Sequence, residues 1–335
     1  MKTVSIGIQN NCAACGCACR YCLLRSNKRA DDGVDYARGK RLAERFLEWG
    51  RAKELQSLPY YFIGYCAEYP ELLDTIEFNR RAQFPGAGFL QVNGISLRDT
   101  PETDAFVRRL RDAGVESIDT TFYGTETYHD RFAARKGDFR FLLRLVESAA
   151  KQGLHCTLSV PLSTENLPML AELLYILAQM GDLSQLVTFL PDYRGRGDRM
   201  EEIRLTEAHI EQLPTEARKA LNLKRYKTER EWLSEGALPE YTQRALIVNL
   251  RRDNIDMLEA MSCEEIVAYV EALDDAYYRA IPDINTLAEM YGDRENARLY
   301  KLRDLFWKWQ KRYIAEKHLE LYDVTDERFC ASIRS

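Results

Sequence analysis

Val4-Ser5-Ile6-Gly7-Ile8 leads, after three residues, into Cys12-Ala13-Ala14-Cys15-Gly16-Cys17-Ala18-Cys19-Arg20-Tyr21-Cys22. The first part alternates apolar and small residues and includes β-branched ones, the pattern of a buried strand. The second holds five of the chain's nine cysteines within eleven residues. Small residues separate the sulfurs, so the backbone there can curl tightly. A packed core does not ask for that; a group bound through sulfur does.

Outward from that strand the chain alternates. Helical spacing over 36–55 sets Leu42, Phe46, Leu47 and Trp49 near one face. A second strand is expected at 60–65, with Glu68 and Pro70 just past its end, and a helix at 71–84. Strand 89–92 ends at Asn93-Gly94, helix 103–113 stops at Gly114, and strand 116–123 meets Gly124. Helix 139–152 stops at Gly153; strand 155–162 and helix 167–180 follow, the latter before Gly181. A sixth strand, 186–190, runs into Pro191-Asp192-Tyr193-Arg194-Gly195-Arg196-Gly197. Such alternation implies parallel strands with right-handed crossovers. Periodicity leaves a doubly wound sheet and an open barrel both open. In either, chemistry gathers at the C-terminal strand ends. The cysteine loop, Glu68, Asn93, Gly124 and the Arg-Gly-Arg-Gly stretch all fall there.

Beyond residue 200 the rhythm changes. Segments 206–222, 262–280 and 293–317 read as helices, 246–250 as a short strand, and Ser262-x-x-Glu265 as a capping box. Leu299, Leu302, Phe306, Trp309 and Tyr313 form one apolar stripe. The expected organisation is a core over 1–200 covered by a mostly helical extension over 201–335. A length of 335 residues suits that division, being more than one small core needs.

The net charge of −5 has its signs interspersed, unlike the basic face of a duplex binder. Nucleic acid is therefore not the expected partner. No apolar run approaches the ~18–20 residues of a membrane helix. The short apolar stretch after Met1-Lys2-Thr3 falls below a secretory signal's. A cytoplasmic location is expected, where crowded cysteines more often bind metal or react than form disulfides.

Three readings of the loop are open. One is a [4Fe–4S] cluster on the three thiolates of Cys15, Cys19 and Cys22, with the fourth iron left to a small molecule; soft sulfur suits iron–sulfur clusters. Another is a four-thiolate cluster on Cys12, Cys15, Cys19 and Cys22, as in a non-catalytic electron carrier or redox sensor. The last is a structural zinc site, although three residues between the Cys-x2-Cys pairs is short for a zinc ribbon.

Cys15-x3-Cys19-x2-Cys22, directly after a first strand and with aromatic Tyr21 before the last cysteine, resembles the signature of the radical S-adenosylmethionine (SAM) superfamily. The resemblance covers about residues 3–200. Cys66-Ala67-Glu68-Tyr69-Pro70 stands where that family has a Gly-Gly-Glu-Pro-like motif: Glu68 is kept, the glycines are not, and Pro70 comes one residue late. Thr121-Phe122-Tyr123-Gly124, then Tyr128-His129-Asp130-Arg131-Phe132 and Gly137-Asp138-Phe139, is similar to the family's fourth-strand segment. Tyr123 stands where many members have aspartate. Ala133 occupies the place of the usual SAM-carboxylate arginine, which makes Arg135 the substitute. Gly195 and Gly197 resemble glycines beside SAM.

The resemblance implies an α/β fold, a partial (β/α)6 TIM-like barrel with the helical C-terminal extension. It implies a [4Fe–4S] cluster and SAM as cofactors, with Glu68, Thr121, Arg135 and Ser159 as SAM contacts. His129 and Asp130 read as pinning a turn. Cys12, Cys17 and Cys66 have no assigned role. It further implies that an electron from a flavodoxin- or ferredoxin-like donor lets the cluster cleave SAM to methionine and a 5′-deoxyadenosyl radical. That radical takes hydrogen from the substrate, a small molecule or a peptide. Cys263 and Cys330 are too few for an auxiliary-cluster domain.

Overall fold

The computed structural model describes residues 1–10, 15–22, 33–63, 66–181, 183–193, 195–240 and 242–321. Cys12, Arg194 and Cys330 lie outside them, and nothing is assigned to the Cys66 side chain.

The elements run β1 (Lys2–Asn10), α1 (Tyr36–Ala52), β2 (Tyr60–Ile63), α2 (Leu72–Arg81), β3 (Phe89–Gln91), α3 (Thr100–Asp112), β4 (Ser117–Thr121), α4 (Glu126–Ala133), α5 (Asp138–Lys151), β5 (His155–Pro161), α6 (Leu170–Ala178) and β6 (Leu186–Phe189). There follow α7 (Glu207–Ile210), α8 (Thr215–Ala220), β7 (Lys227–Thr228), α9 (Glu229–Ser234), β8 (Gln243–Leu250), α10 (Ile255–Ala260), α11 (Cys263–Ala280), α12 (Ile284–Tyr291), β9 (Leu299–Tyr300) and α13 (Leu302–Glu316).

The strands up to β6 are parallel, as the alternation predicts. They form two sheets, β2-β1-β8 and β3-β4-β5-β6. This is the expected partial (β/α)6 arrangement, with no ladder between β2 and β3 among the described residues. One strand comes from beyond residue 200: β8 pairs with β1 in parallel along its whole length. Residues counted with the extension therefore supply a strand to the sheet that carries the cysteine loop.

Strand side chains alternate between faces. Leu90, Ile118, Leu158 and Val160 turn to α3, α5 and α6 in one apolar core. Ile6, Ile8, Tyr61, Ile63, Leu246 and Val248 pack on α1, Phe78 of α2, and α11 in a second. The other positions of the same strands, among them Gln91, Asp119, Thr121, Thr157, Ser159 and Val187, form the concave face. Val187 and Phe62 keep 43% and 48% of their surface exposed there, so this face is open rather than packed.

The extension departs from the sequence reading in three places. Segment 206–222 is two helices, α7 and α8, because Pro214 cannot continue a helix from the preceding turn. The helix expected from 293 starts at Leu302, since Leu299–Tyr300 pairs antiparallel with Lys227–Thr228. α9, α10 and α12 were not expected there, nor was α4 in the core. The Ser262/Glu265 capping box does open α11.

Candidate active site

The cysteine loop is sewn to several strand ends by its backbone. Gly16 N–H donates to the Gly94 carbonyl (2.7 Å), after β3. Ala18 and Arg20 N–H donate to the carbonyls of Ala133 (2.9 Å) and Phe132 (3.0 Å), the last turn of α4. Arg196 N–H, after β6, donates to the Cys22 carbonyl (2.8 Å). The Arg20 guanidinium also grips Glu165, after β5, at 2.7 and 2.9 Å, and Tyr128 donates to the same carboxylate at 2.9 Å. Arg20 first, and Tyr128 with it, holds the Glu165 carboxyl below its usual range.

The sulfurs are not equivalent. Cys15, Cys19 and Cys22 are half-buried thiols, whereas Cys17 is buried. The Cys17 sulfur lies 3.8 Å from Asp138 and 3.9 Å from Arg135. A hydrogen bond with Cys15 draws its acidity one way; one with Cys19, burial and the Asp138 charge outweigh it, and the thiol is pushed up to about 12. Its surroundings thus disfavour the Cys17 thiolate. Cys15 Sγ accepts from the Cys17 N–H at 3.4 Å, and Cys19 Sγ accepts from the Tyr123 hydroxyl at 3.4 Å.

Among the described residues no three metal-binding side chains close on a single point. The fit to an iron–sulfur cluster is judged instead on the donors and the space beside them. Three thiols share one loop at x3 and x2 spacing. Beside Cys15 the backbone is bare: a Cβ on Gly94 would stand 2.2 Å from Cys15 Sγ, and one on Gly16 3.0 Å from the Gly94 carbonyl. Soft donors, partial exposure and bare glycine backbone beside Cys15 fit a [4Fe–4S] cluster on the thiols of Cys15, Cys19 and Cys22.

The turn Asn93–Gly94–Ile95–Ser96 joins several expected site residues. The Asn93 side chain clamps the backbone of Thr121, accepting from its N–H (2.7 Å) and donating to its carbonyl (3.0 Å). Gly94 meets the cysteine loop. Ser96 donates to Glu68 through its N–H (3.1 Å) and hydroxyl (3.2 Å), and Arg98 adds an ion pair at 2.5 Å. Burial opposes ionisation of Glu68, yet Arg98 and Ser96 hold its carboxyl below the usual range. Asn93-Gly94 was legible as a turn; its role as a hub was not.

Arg135 packs against Gly16 and pairs with Asp138 at 3.2 Å. Asp138, fully buried, also bonds His129 Nε2 at 3.0 Å, while His129 Nδ1 accepts from the Tyr123 N–H at 3.2 Å. Nδ1 is therefore the acceptor and Nε2 carries the proton toward Asp138. Asp130 accepts from the N–H groups of Gly137 (2.6 Å) and Phe139 (2.9 Å), capping α5. Both His129 and Asp130 thus pin the turn that carries Arg135. Gly197 has a local reason as well, since a Cβ there would stand 1.9 Å from the Asp192 carbonyl.

Thr121 and Ser159 face each other in register across β4 and β5. Ser159 does not present a vacant hydroxyl; it donates to Asp119 at 2.6 Å. Asp119, bonded to an expected site residue, escaped the sequence reading. Its signal, an acid at an inward position of a buried strand, emerges only once the faces of β4 are assigned. Burial pushes its carboxyl above the usual range, against hydrogen bonds from Ser159 and Gln91. A carboxyl raised in the folded state costs stability once pH passes its unfolded value. Asp119→Asn is therefore expected to raise the Tm at about pH 7 and to lose that gain at about pH 3. Thermal melts at the two pH values check this.

No family model matches the chain, and no curated protein matches it. Solved structures do. Coproporphyrinogen III oxidase (HemN) from Escherichia coli, described as a radical SAM enzyme, is 14% identical with a TM-score of 0.44, over 68% of this chain and 54% of that one. Streptococcus suis SuiB is 11% identical with a TM-score of 0.37, over 53% of this chain and 38% of that one. A native anSMEcpe structure with bound AdoMet is 11% identical with a TM-score of 0.46, over 93% of this chain and 98% of that one. The chain thus spans about half the length of HemN and less of SuiB. What it is similar to, among these solved proteins, includes a radical SAM enzyme and a protein that binds AdoMet.

Proposed function

We propose that the chain is a radical SAM enzyme, with Cys15, Cys19 and Cys22 holding a [4Fe–4S] cluster and SAM lying across the neighbouring strand ends. The observation that carries this reading is the loop: three thiols at x3 and x2 spacing, placed after the first strand of a parallel α/β sheet and tied to the ends of β3 and β6. When bound, cluster and SAM together supply a 5′-deoxyadenosyl radical that takes hydrogen from a substrate.

The chain's own residues position these groups and keep water out. Thr121, fixed by Asn93, offers its hydroxyl on the concave face beside Ser159. Arg135 brings a cation to the cysteine loop, and Glu68 sets the turn that flanks Cys15. Both charges are already matched, by Asp138 and Arg98, so they act on SAM through position as much as contact. The helical extension over 201–335 covers the rim, a flavodoxin- or ferredoxin-like protein supplies the electron, and the substrate is a small molecule or a peptide. Among the described residues no helix is long and apolar enough to cross a membrane.

The test is anaerobic reconstitution, then dithionite and SAM, with 5′-deoxyadenosine measured. A replete cluster that makes none defeats the reading in favour of an electron carrier or sensor. Cys15→Ala, Cys19→Ala and Cys22→Ala should each lose most of the bound iron; Cys17→Ala should keep it. Iron loss in Cys12→Ala would instead point to four-thiolate ligation.

A further inference from the structure

Tyr123 makes a contact that neither the cysteine spacing nor the strand pattern announces. It lies two residues beyond β4 and is buried. Its ring is fixed on two sides, stacked on Phe132 at 4.3 Å between centroids and packed against His129 at 5.3 Å. Its backbone N–H is held by His129 Nδ1 at 3.2 Å. A phenol so placed has its hydroxyl delivered to one point, 3.4 Å from Cys19 Sγ. An iron-bound thiolate carries no proton, so in the loaded protein the phenol must be the donor and the sulfur the acceptor.

Hydrogen bonds to ligating sulfurs tune a cluster's potential, because they stabilise the additional negative charge of the reduced state. We propose that Tyr123 is a positioning residue that donates to the Cys19 sulfur and raises the reduction potential of the bound cluster. The inference rests on the function proposed above and adds a residue to it. The step concerned is the gain of one electron by the cluster from its donor, dithionite in vitro; no bond forms or breaks, and the phenol keeps its proton.

The probe is Tyr123→Phe, which keeps the ring stack and removes only the hydroxyl. Full-length protein, reconstituted without oxygen, is titrated against potential with the reduced cluster followed by electron paramagnetic resonance. The variant should carry the iron and sulfide of the wild type. At a fixed potential its reduced-to-oxidised ratio should fall about tenfold, a midpoint lower by about 59 mV for a one-electron couple. An unchanged midpoint in a replete variant overturns the inference. Should the variant take up no iron, the wild type decides through its iron–sulfur stretching frequencies after reconstitution in H2O and in D2O. Because the Cys17 N–H on Cys15 Sγ exchanges as well, the shift is read on the Cys19 iron–sulfur mode: a shift there supports the hydroxyl donor, and an unshifted Cys19 mode overturns it. A wild type that binds a cluster yet yields no 5′-deoxyadenosine with SAM defeats the radical SAM reading alone, since the potential shift is measured without SAM.

Discussion

Gly94→Ala is expected to strip the protein of its iron while leaving the sheet folded. Two physical effects act at this position, and they can be separated. The first is conformational: Gly94 has φ +84°, a region that costs an alanine about 1–2 kcal/mol. The second is steric. The new Cβ would stand 2.2 Å from Cys15 Sγ and 3.5 Å from Cys15 Cβ. The latter is ordinary van der Waals contact; the former is a clash, and the atom that would have to give way is the sulfur proposed as a ligand. Cys15 must rotate away, or the Asn93–Ser96 turn must move and take with it the Gly16 hydrogen bond and the clamp on Thr121. Either way one of three thiolates leaves its place.

Gly236→Ala is the matched control. Its φ is +85°, but nothing lies within 4 Å of a Cβ placed there. Both variants should lose a similar, small amount of thermal stability, and only Gly94→Ala should lose its iron, by roughly tenfold or more after reconstitution, the scale expected for disturbing a metal site's support. Equal iron in the two variants would show that Cys15 does not need the space beside Gly94.

Gly94 also shows how far the sequence could be read. Asn93-Gly94 was visible as a turn, and the glycines at 114, 153 and 181 as helix stops, because positive φ favours glycine wherever it occurs. The six parallel strands were visible because their outward positions are apolar with period two. β8 was visible as a strand but not as a neighbour of β1, since its pairing joins residues about 240 positions apart and no local pattern encodes it. α4 escaped because Glu126–Ala133 is short and rich in polar groups; its hold comes from Tyr128 and Phe132 buried against the cysteine loop and from His129 bonded to Asp138. The Cys15-x3-Cys19-x2-Cys22 spacing was legible in the sequence, and by itself it left three readings of the loop open. The partners of Glu68 and Ser159 were not legible, since Arg98 and Asp119 meet them only through tertiary register. The Arg135–Asp138 pair is different: three residues separate the partners, so the local charge pattern did contain it.

The second large effect is expected far from the thiols, at Glu229. This carboxylate is fully buried at the start of α9. It accepts from Asn296 Nδ2 (2.6 Å), Lys308 Nζ (2.9 Å), Trp309 Nε1 (2.9 Å) and the Asp293 N–H (3.2 Å). Two further segments of the extension, the 293–296 turn and α13, thus converge on this one side chain of α9. Glu229→Ala leaves the partly exposed Lys308 ammonium with Glu201 alone and an indole N–H and two amides short of an acceptor, a loss of about 1–3 kcal/mol for each buried donor left unpaired. Against a total stability of about 5–15 kcal/mol that is a large share, and the Tm should fall by roughly ten degrees. Lys308 retains Glu201 at 3.1 Å, so Glu229→Gln, which keeps one acceptor oxygen, should lose distinctly less. The consequence should extend beyond stability. Glu201 belongs to the Gly195–Ile203 turn after β6, and the same turn holds the Cys22 carbonyl through the Arg196 N–H. Lys311 of α13 grips it again through the Gly195 carbonyl at 3.0 Å. Loosening α13 should therefore loosen one of the anchors of the cysteine loop. In reconstituted Glu229→Ala, held well below its lowered Tm, air should bleach the cluster several-fold faster than in the wild type. A lowered Tm with an unchanged bleaching rate would mean that the Glu229 network supports the extension without reaching the thiols, and that the loop's other anchors, at Gly94, α4 and Glu165, suffice.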